Sequence, residues 1–120
     1  MTDRPAVLDQ QVIAELLASV GGDDAFVADL VRTYLAEGAE HIAAMDAALA
    51  AGDVTAIVRP AHSLKSSSAA LGAARLSQIS RDIEHAGRDG RTDALAALMI
   101  EAHSAWSDTL AALQAPGRAG

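Results

Sequence analysis

Apolar residues recur along this chain three and four positions apart, the spacing of helix faces, in one short segment and four longer ones. Leu8, Val12, Ile13, Leu16, Leu17 and Val20 mark the short one, predicting a first helix from about Asp9 to Ser19, with Asp9 as N-cap and Gly21-Gly22 as the stop. Its apolar positions cover more than one narrow stripe, so part of it is expected to stay exposed. Asp23 or Asp24 caps a second helix to about Ala51, carried by Val27, Leu30, Val31, Tyr34, Leu35, Ile42, Met45 and Leu49. Gly38 interrupts it and costs about 1 kcal/mol against alanine, marking a weak point or bend.

Gly52-Asp53 ends that segment and caps a third, Val54 to about Leu71. Pro60 falls inside it, where a proline removes a backbone bond and clashes with the carbonyl four residues back. Either a kink just before His62 or a helix that begins near Arg59 resolves the conflict. Gly72 suits the left-handed C′ position. A fourth helix is predicted over about Ala73 to Ala86, with Leu76, Ile79, Ile83 and Ala86 at core spacing, then a loop Gly87-Arg88-Asp89-Gly90. Thr92 or Asp93 caps a fifth, to about Gln114, carrying Leu95, Leu98, Met99, Ala102, Trp106, Leu110 and Leu113. Four substantial helices joined by short loops predict an all-α, antiparallel up-down four-helix bundle, with the short N-terminal helix as a lid. One domain spans 1–120, its core about 8–114, with loose ends at 1–6 and 115–120.

Composition agrees. Hydrophobic residues make up 51% of the 120 residues, alanine dominates, and Phe26, Tyr34 and Trp106 are the aromatics, a bias toward helix and away from strand. With no cysteine, disulfide and thiol chemistry are excluded. A net charge of −7 argues against nucleic-acid binding. No apolar run reaches the roughly 18–20 residues of a membrane span, and the opening Met1-Thr2-Asp3-Arg4-Pro5 is unlike a signal peptide, so a cytoplasmic protein is expected.

The chemistry concentrates in Ala61-His62-Ser63-Leu64-Lys65-Ser66-Ser67-Ser68-Ala69-Ala70-Leu71-Gly72-Ala73. At about 100° per residue, His62, Lys65 and Ser66 share one helix face, while Ile57, Ala61, Leu64, Ser68 and Leu71 share a neighbouring one that can bury. Lys65 disfavours an imidazolium and so favours the nucleophilic neutral ring; once the ring carries a phosphoryl group, the same cation attracts it. Ser66 is small enough to admit another protein to the imidazole, and its hydroxyl can reach a phosphoryl oxygen. The other histidines, His41, His85 and His103, fall on polar faces and are expected to be solvated. No metal-ligand spacing, no phosphate-binding glycine loop and no Gly-x-Ser-x-Gly elbow occurs, so neither a metal site, a nucleotide site nor any cofactor is expected.

That stretch closely resembles the signature of histidine-containing phosphotransfer (HPt) domains. The likeness extends to Phe26–Tyr34 and Leu49-Ala50-Ala51-Gly52-Asp53 before it and to Leu76 through Ile83-Glu84-His85-Ala86-Gly87 after it, about residues 8–113 in all. The resemblance implies that His62 accepts a phosphoryl group from one receiver-domain aspartate and passes it to another. It implies that Lys65 steadies the phosphate and that Glu84, where the family often has Gln or Glu, bonds the other ring nitrogen and fixes the tautomer. The family commonly has glycine where Ser66 stands, and Pro60 lies two residues before the acceptor. A histidine-kinase dimerisation helix is disfavoured because Ser63, not an acidic residue, follows His62.

The expectation is therefore a stand-alone monomeric phosphocarrier without autokinase activity. Its partners would be receiver domains of response regulators or hybrid kinases, docking around His62 on Val12, Leu16, Val58, Ala69 and the start of the second helix. The alternative is a helical adaptor that binds receivers or other helical proteins without transfer. An enzyme with His62 as general base would require a concave pocket.

Overall fold

The computed structural model describes residues 4–114. Helix α1 spans Gln10–Ser19, α2 Asp24–Ala50, α3 Val58–Ala70, α4 Ala74–Arg88 and α5 Thr92–Gln114, with a short 3-10 helix, Val54–Ile57, leading into α3. Three of the expected caps are in place, whereas Thr92 and Asp93, expected to cap the fifth helix, lie within α5. Asp9 accepts from the amides of Gln11 and Val12, Asp23 from Phe26, and Asp53 from Ala56, each satisfying amides that the first turn leaves without a helical partner.

Helices α2 to α5 close a ring: α3 packs on α4, α4 on α5, and α2 on both α3 and α5. Neighbours run antiparallel. Moving forward from His62 to Lys65 on α3 pairs with moving backward from Glu84 to Ser77 on α4. The core between them is built from Val27, Val31, Tyr34, Ile42 and Met45 of α2, Ala61 and Leu64 of α3, Leu76, Ile79 and Ile83 of α4, and Leu95, Met99 and Leu113 of α5. The face read from periodicity as buried is buried throughout: Ile57, Ala61, Leu64, Ser68 and Leu71. Helix α1 contributes no fully buried residue; Leu16 and Leu17 pack against the core from outside.

Three local expectations change, and the two alternatives at Pro60 resolve into one. At Gly38, α2 runs straight through, and the glycine is a packing feature: a Cβ there would lie 2.6 Å from Trp106 Cη2. At Pro60 the second alternative holds, a helix that begins near Arg59: α3 begins at Val58 and places the proline third, in the first turn, where a missing amide costs no α-helical bond. The 3-10 helix absorbs the residues before it. Helix α4 continues through Gly87 to Arg88, two residues past the expected end, leaving only Asp89–Arg91 as the turn. The lead-in is held from Arg4 onward: its guanidinium bonds Gln78 and Asp82 of α4 and Glu101 of α5, and Arg75 Nε donates to the Pro5 carbonyl. The remainder of the expected loose ends, 1–3 and 115–120, lies outside the described residues.

Gly72 ties α1 to the site helix. Its φ of +77° lets α3 end with Ala73 N–H on the Ser68 carbonyl and Gly72 N–H on that of Ala69. Its own carbonyl accepts from Asp9 N at 2.6 Å. No described helix is long and apolar enough to cross a membrane.

Candidate functional site

His62 sits in the middle of α3 with its side chain 57% exposed. Ala61 and Leu64 on either side point into the core, so the helix face that buries them turns His62 outward. Across the helix–helix contact, Glu84 of α4 is buried, at 1% exposure. Its Oε2 lies 3.0 Å from His62 Nδ1 and its Oε1 2.8 Å from Lys65 Nζ. Arg88, one turn further along α4, reaches the same Oε2 at 2.7 Å. Ser77 Oγ of α4 donates to the Lys65 carbonyl at 2.9 Å, locking the two helices in register beside the site.

A buried carboxylate is costly unless paired and fully hydrogen-bonded, and here three donors converge on its two oxygens. Burial pushes the Glu84 carboxyl upward. The hydrogen bonds from Lys65 and His62, together with the charges of Lys65 and Arg88, outweigh that and hold it below the usual glutamate range. The group is therefore ionised at neutral pH and can only accept. Nδ1 of His62 must then carry a proton, so in the neutral ring the lone pair lies on Nε2, for which no partner is found among the described residues. The arrangement presents an outward-facing imidazole whose Nε2 is free.

Beside His62 lies an open depression of about 910 Å³ lined by Thr55, Val58, Arg59, Ser63, Gly87 and Arg88. It is a flank of the surface, unlike the enclosed pocket that a general-base enzyme needs. Gly87 shapes its floor: a Cβ there would come within 2.7 Å of Ile57 Cγ2 and 3.0 Å of Val58 Cγ2. On the other side of the site, Val12, Lys65, Ala69, Gly72, Ser77 and Arg81 line a smaller hollow between α1, α3 and α4.

Of the residues nominated from sequence, the fold brings together His62, Lys65 and Glu84. Ser66 is exposed one turn beyond His62. Val12 and Ala69 border the hollow on one side of the site and Val58 the depression on the other, with Leu16 and Val58 spending part of their surface on the core. His41 is half-buried and His85 exposed; exposed His103 places Nε2 2.9 Å from both carboxylate oxygens of Asp46. No group of three or more His, Asp or Glu side chains able to hold a metal occurs among the described residues. The sequence does not single out Arg88 or Arg59. Arg88 falls in the expected loop, although its spacing of four from Glu84 is that of a helical ion pair. Arg59 stands three residues before His62, on the same face.

Comparison with known proteins agrees with this geometry. Residues 29–116 match the Hpt domain. The fold superposes on the crystal structure of histidine-containing phosphotransfer protein B (HptB) from Pseudomonas aeruginosa PAO1 with a TM-score of 0.79 and 28% identity, covering 86% of this chain and 87% of that one. No curated protein matches. With the family match running from within α2 through α5 and the ionised carboxylate behind an exposed histidine, this chain belongs to the Hpt domain family, the histidine-containing phosphotransfer intermediates of phosphorelays.

Proposed function

We propose that His62 is the phosphoacceptor of this carrier and that Glu84 fixes its tautomer. The observation that carries the reading is the bond from Nδ1 to buried Glu84, which leaves Nε2 as the free nitrogen of an exposed ring. The Nε2 lone pair attacks the phosphorus of an aspartyl phosphate in line. The P–O bond to the donor aspartate breaks, and its electron pair stays on that carboxylate. Return to a second aspartate reverses the step. Lys65 and Ser66, on the same face of α3 as His62, receive the phosphoryl oxygens; Lys65 exchanges its bond from Glu84 to them as charge arrives.

The partners are receiver domains, seated on the His62 face with Val12, Leu16, Val58 and Ala69 at its rim. Arg59, Lys65 and Arg88 place positive charge there in a chain of net charge −7, which suits an acidic active site carrying phosphate. Any divalent metal needed for transfer belongs to the receiver. The carrier works as a monomer in the cytoplasm, without autokinase activity, cofactor or nucleic acid.

Incubation with phosphorylated receiver domains should label the protein with an acid-labile, alkali-stable phosphoryl group. His62→Gln should abolish the label while retaining the helical circular-dichroism spectrum. Labelling of that variant would exclude His62 as acceptor. Equal receiver binding by wild type and His62→Ala, with no transfer by either, would instead make the chain a non-transferring adaptor.

A further inference from the structure

How fast a phosphohistidine discharges depends on the charge of the ring. If Nδ1 is protonated, breaking the Nε2–P bond releases neutral imidazole. If it is not, the bond must expel imidazolate, a much poorer leaving group. The group that faces Nδ1 therefore bears on the whole cycle. Here it is a carboxylate, buried, 3.0 Å away, and braced by Lys65 at 2.8 Å and Arg88 at 2.7 Å.

We propose that buried Glu84 keeps a proton on Nδ1 of His62 throughout the phosphoryl cycle and thereby holds the loaded ring in its readily discharged form. The proposal rests on His62 being the acceptor. In loading, the Nε2 lone pair forms the N–P bond while the P–O bond to the donor aspartate breaks. The Nδ1 proton stays, so the product is a phosphoimidazolium bonded to an ionised carboxylate. In unloading, an oxygen of the receiving aspartate forms the new P–O bond, and the N–P electron pair returns to Nε2. The ring is again neutral with its proton on Nδ1. No proton passes between ring and solvent in either direction.

The other groups facing the ring are Arg59 and Lys65 from α3, Arg88 from α4 and uncharged Thr55 from the 3-10 helix. Lys65 and Arg88 oppose a positive ring, but before loading both are bonded to Glu84, whose two oxygens they orient, and after it Lys65 is neutralised by the phosphoryl oxygens it turns to. Arg88 and His62 Nδ1 share Oε2. Movement of Arg88 toward an arriving phosphoryl group would leave that oxygen to Nδ1–H and strengthen the hold on the proton.

The test compares wild type with Glu84→Gln, whose amide oxygen accepts the same hydrogen bond without a charge. Both are loaded with phosphoramidate, which transfers its phosphoryl group and releases ammonia, and loss of phosphohistidine is followed by phosphorus NMR from mildly acidic to alkaline pH. The rate should fall with rising pH in both, with the inflection in Glu84→Gln about one pH unit lower. Above both inflections wild type should discharge about tenfold faster, since a charge-assisted bond is about twice as strong as a neutral one. Superimposable profiles would overturn the proposal. Nitrogen NMR of the loaded wild-type ring gives an independent reading should the variant not fold. Nδ1 should remain protonated above the pH at which a phosphohistidine peptide loses that proton; loss at the same pH would also overturn it. A wild type that takes no phosphoryl group on His62 would instead remove the acceptor reading itself.

Discussion

The Tyr34 hydroxyl meets Ser68 Oγ at 2.8 Å inside the bundle, six residues along α3 from His62. Periodicity put Ser68 on the buried face, but nothing local named its partner, because the bond spans 34 positions of sequence. Burial pushes the phenol up to about 12, partly offset by the bond to Ser68. A raised folded-state value means the associated stability is complete below the unfolded value of about 10 and is lost as pH rises through about 12. Two units correspond to about 2.7 kcal/mol. Tyr34 is the chain's single tyrosine, so tyrosinate absorbance reports on this residue alone. The expected titration shows no ionisation near pH 10 and a late rise that coincides with loss of helix. Ionisation near pH 10 with the helical signal intact would mean the ring is open to water.

Between α2 and α5 the contact depends on the absence of a side chain. Trp106 packs its six-membered ring into the space above Gly38, where a Cβ would lie 2.6 Å from Cη2 and 2.7 Å from Cζ3, and its ring is tilted 57° against Tyr34. Gly38→Ala gains about 1 kcal/mol of helix propensity but overpacks the contact, at a cost of about 1–3 kcal/mol. The expected net effect is a modest lowering of the urea midpoint at unchanged m-value; a stabilised variant would show that Trp106 yields freely. Sequence alone marked Gly38 as a weak point, since a one-dimensional pattern shows what a helix loses at glycine and not what approaches it. Helix ends show the same division. Caps at Asp9, Asp23 and Asp53 were legible because each acts within three residues. The last turn of α4 was not, because Gly87 and Gly90 resemble punctuation until Ile57 is seen to occupy the space where a Cβ would stand at Gly87.

At the scale of the molecule, the ring of α2 to α5 followed from periodicity and loop length, and His62 and Lys65 from their shared helix face. Glu84 required either the family resemblance or the packed structure, since two helices must meet before its carboxylate becomes a partner. The N-terminal segment was hidden altogether: a lone Arg4 carries no pattern, and its bonds to α4 and α5 lie 74 to 97 residues away. That segment and Gly72 hold α1 at its beginning, yet α1 buries no residue completely. Its amides should therefore exchange with solvent deuterium through a local opening far cheaper than global unfolding, while those of α3 and α4 around Leu64, Ile79 and Ile83 await the cooperative transition. Hydrogen exchange read by mass spectrometry would separate the two classes, and equal protection in α1 and α3 would mean that they open together. On the expected pattern, the histidine stands on helices that open only with the whole bundle, beside one that opens by itself.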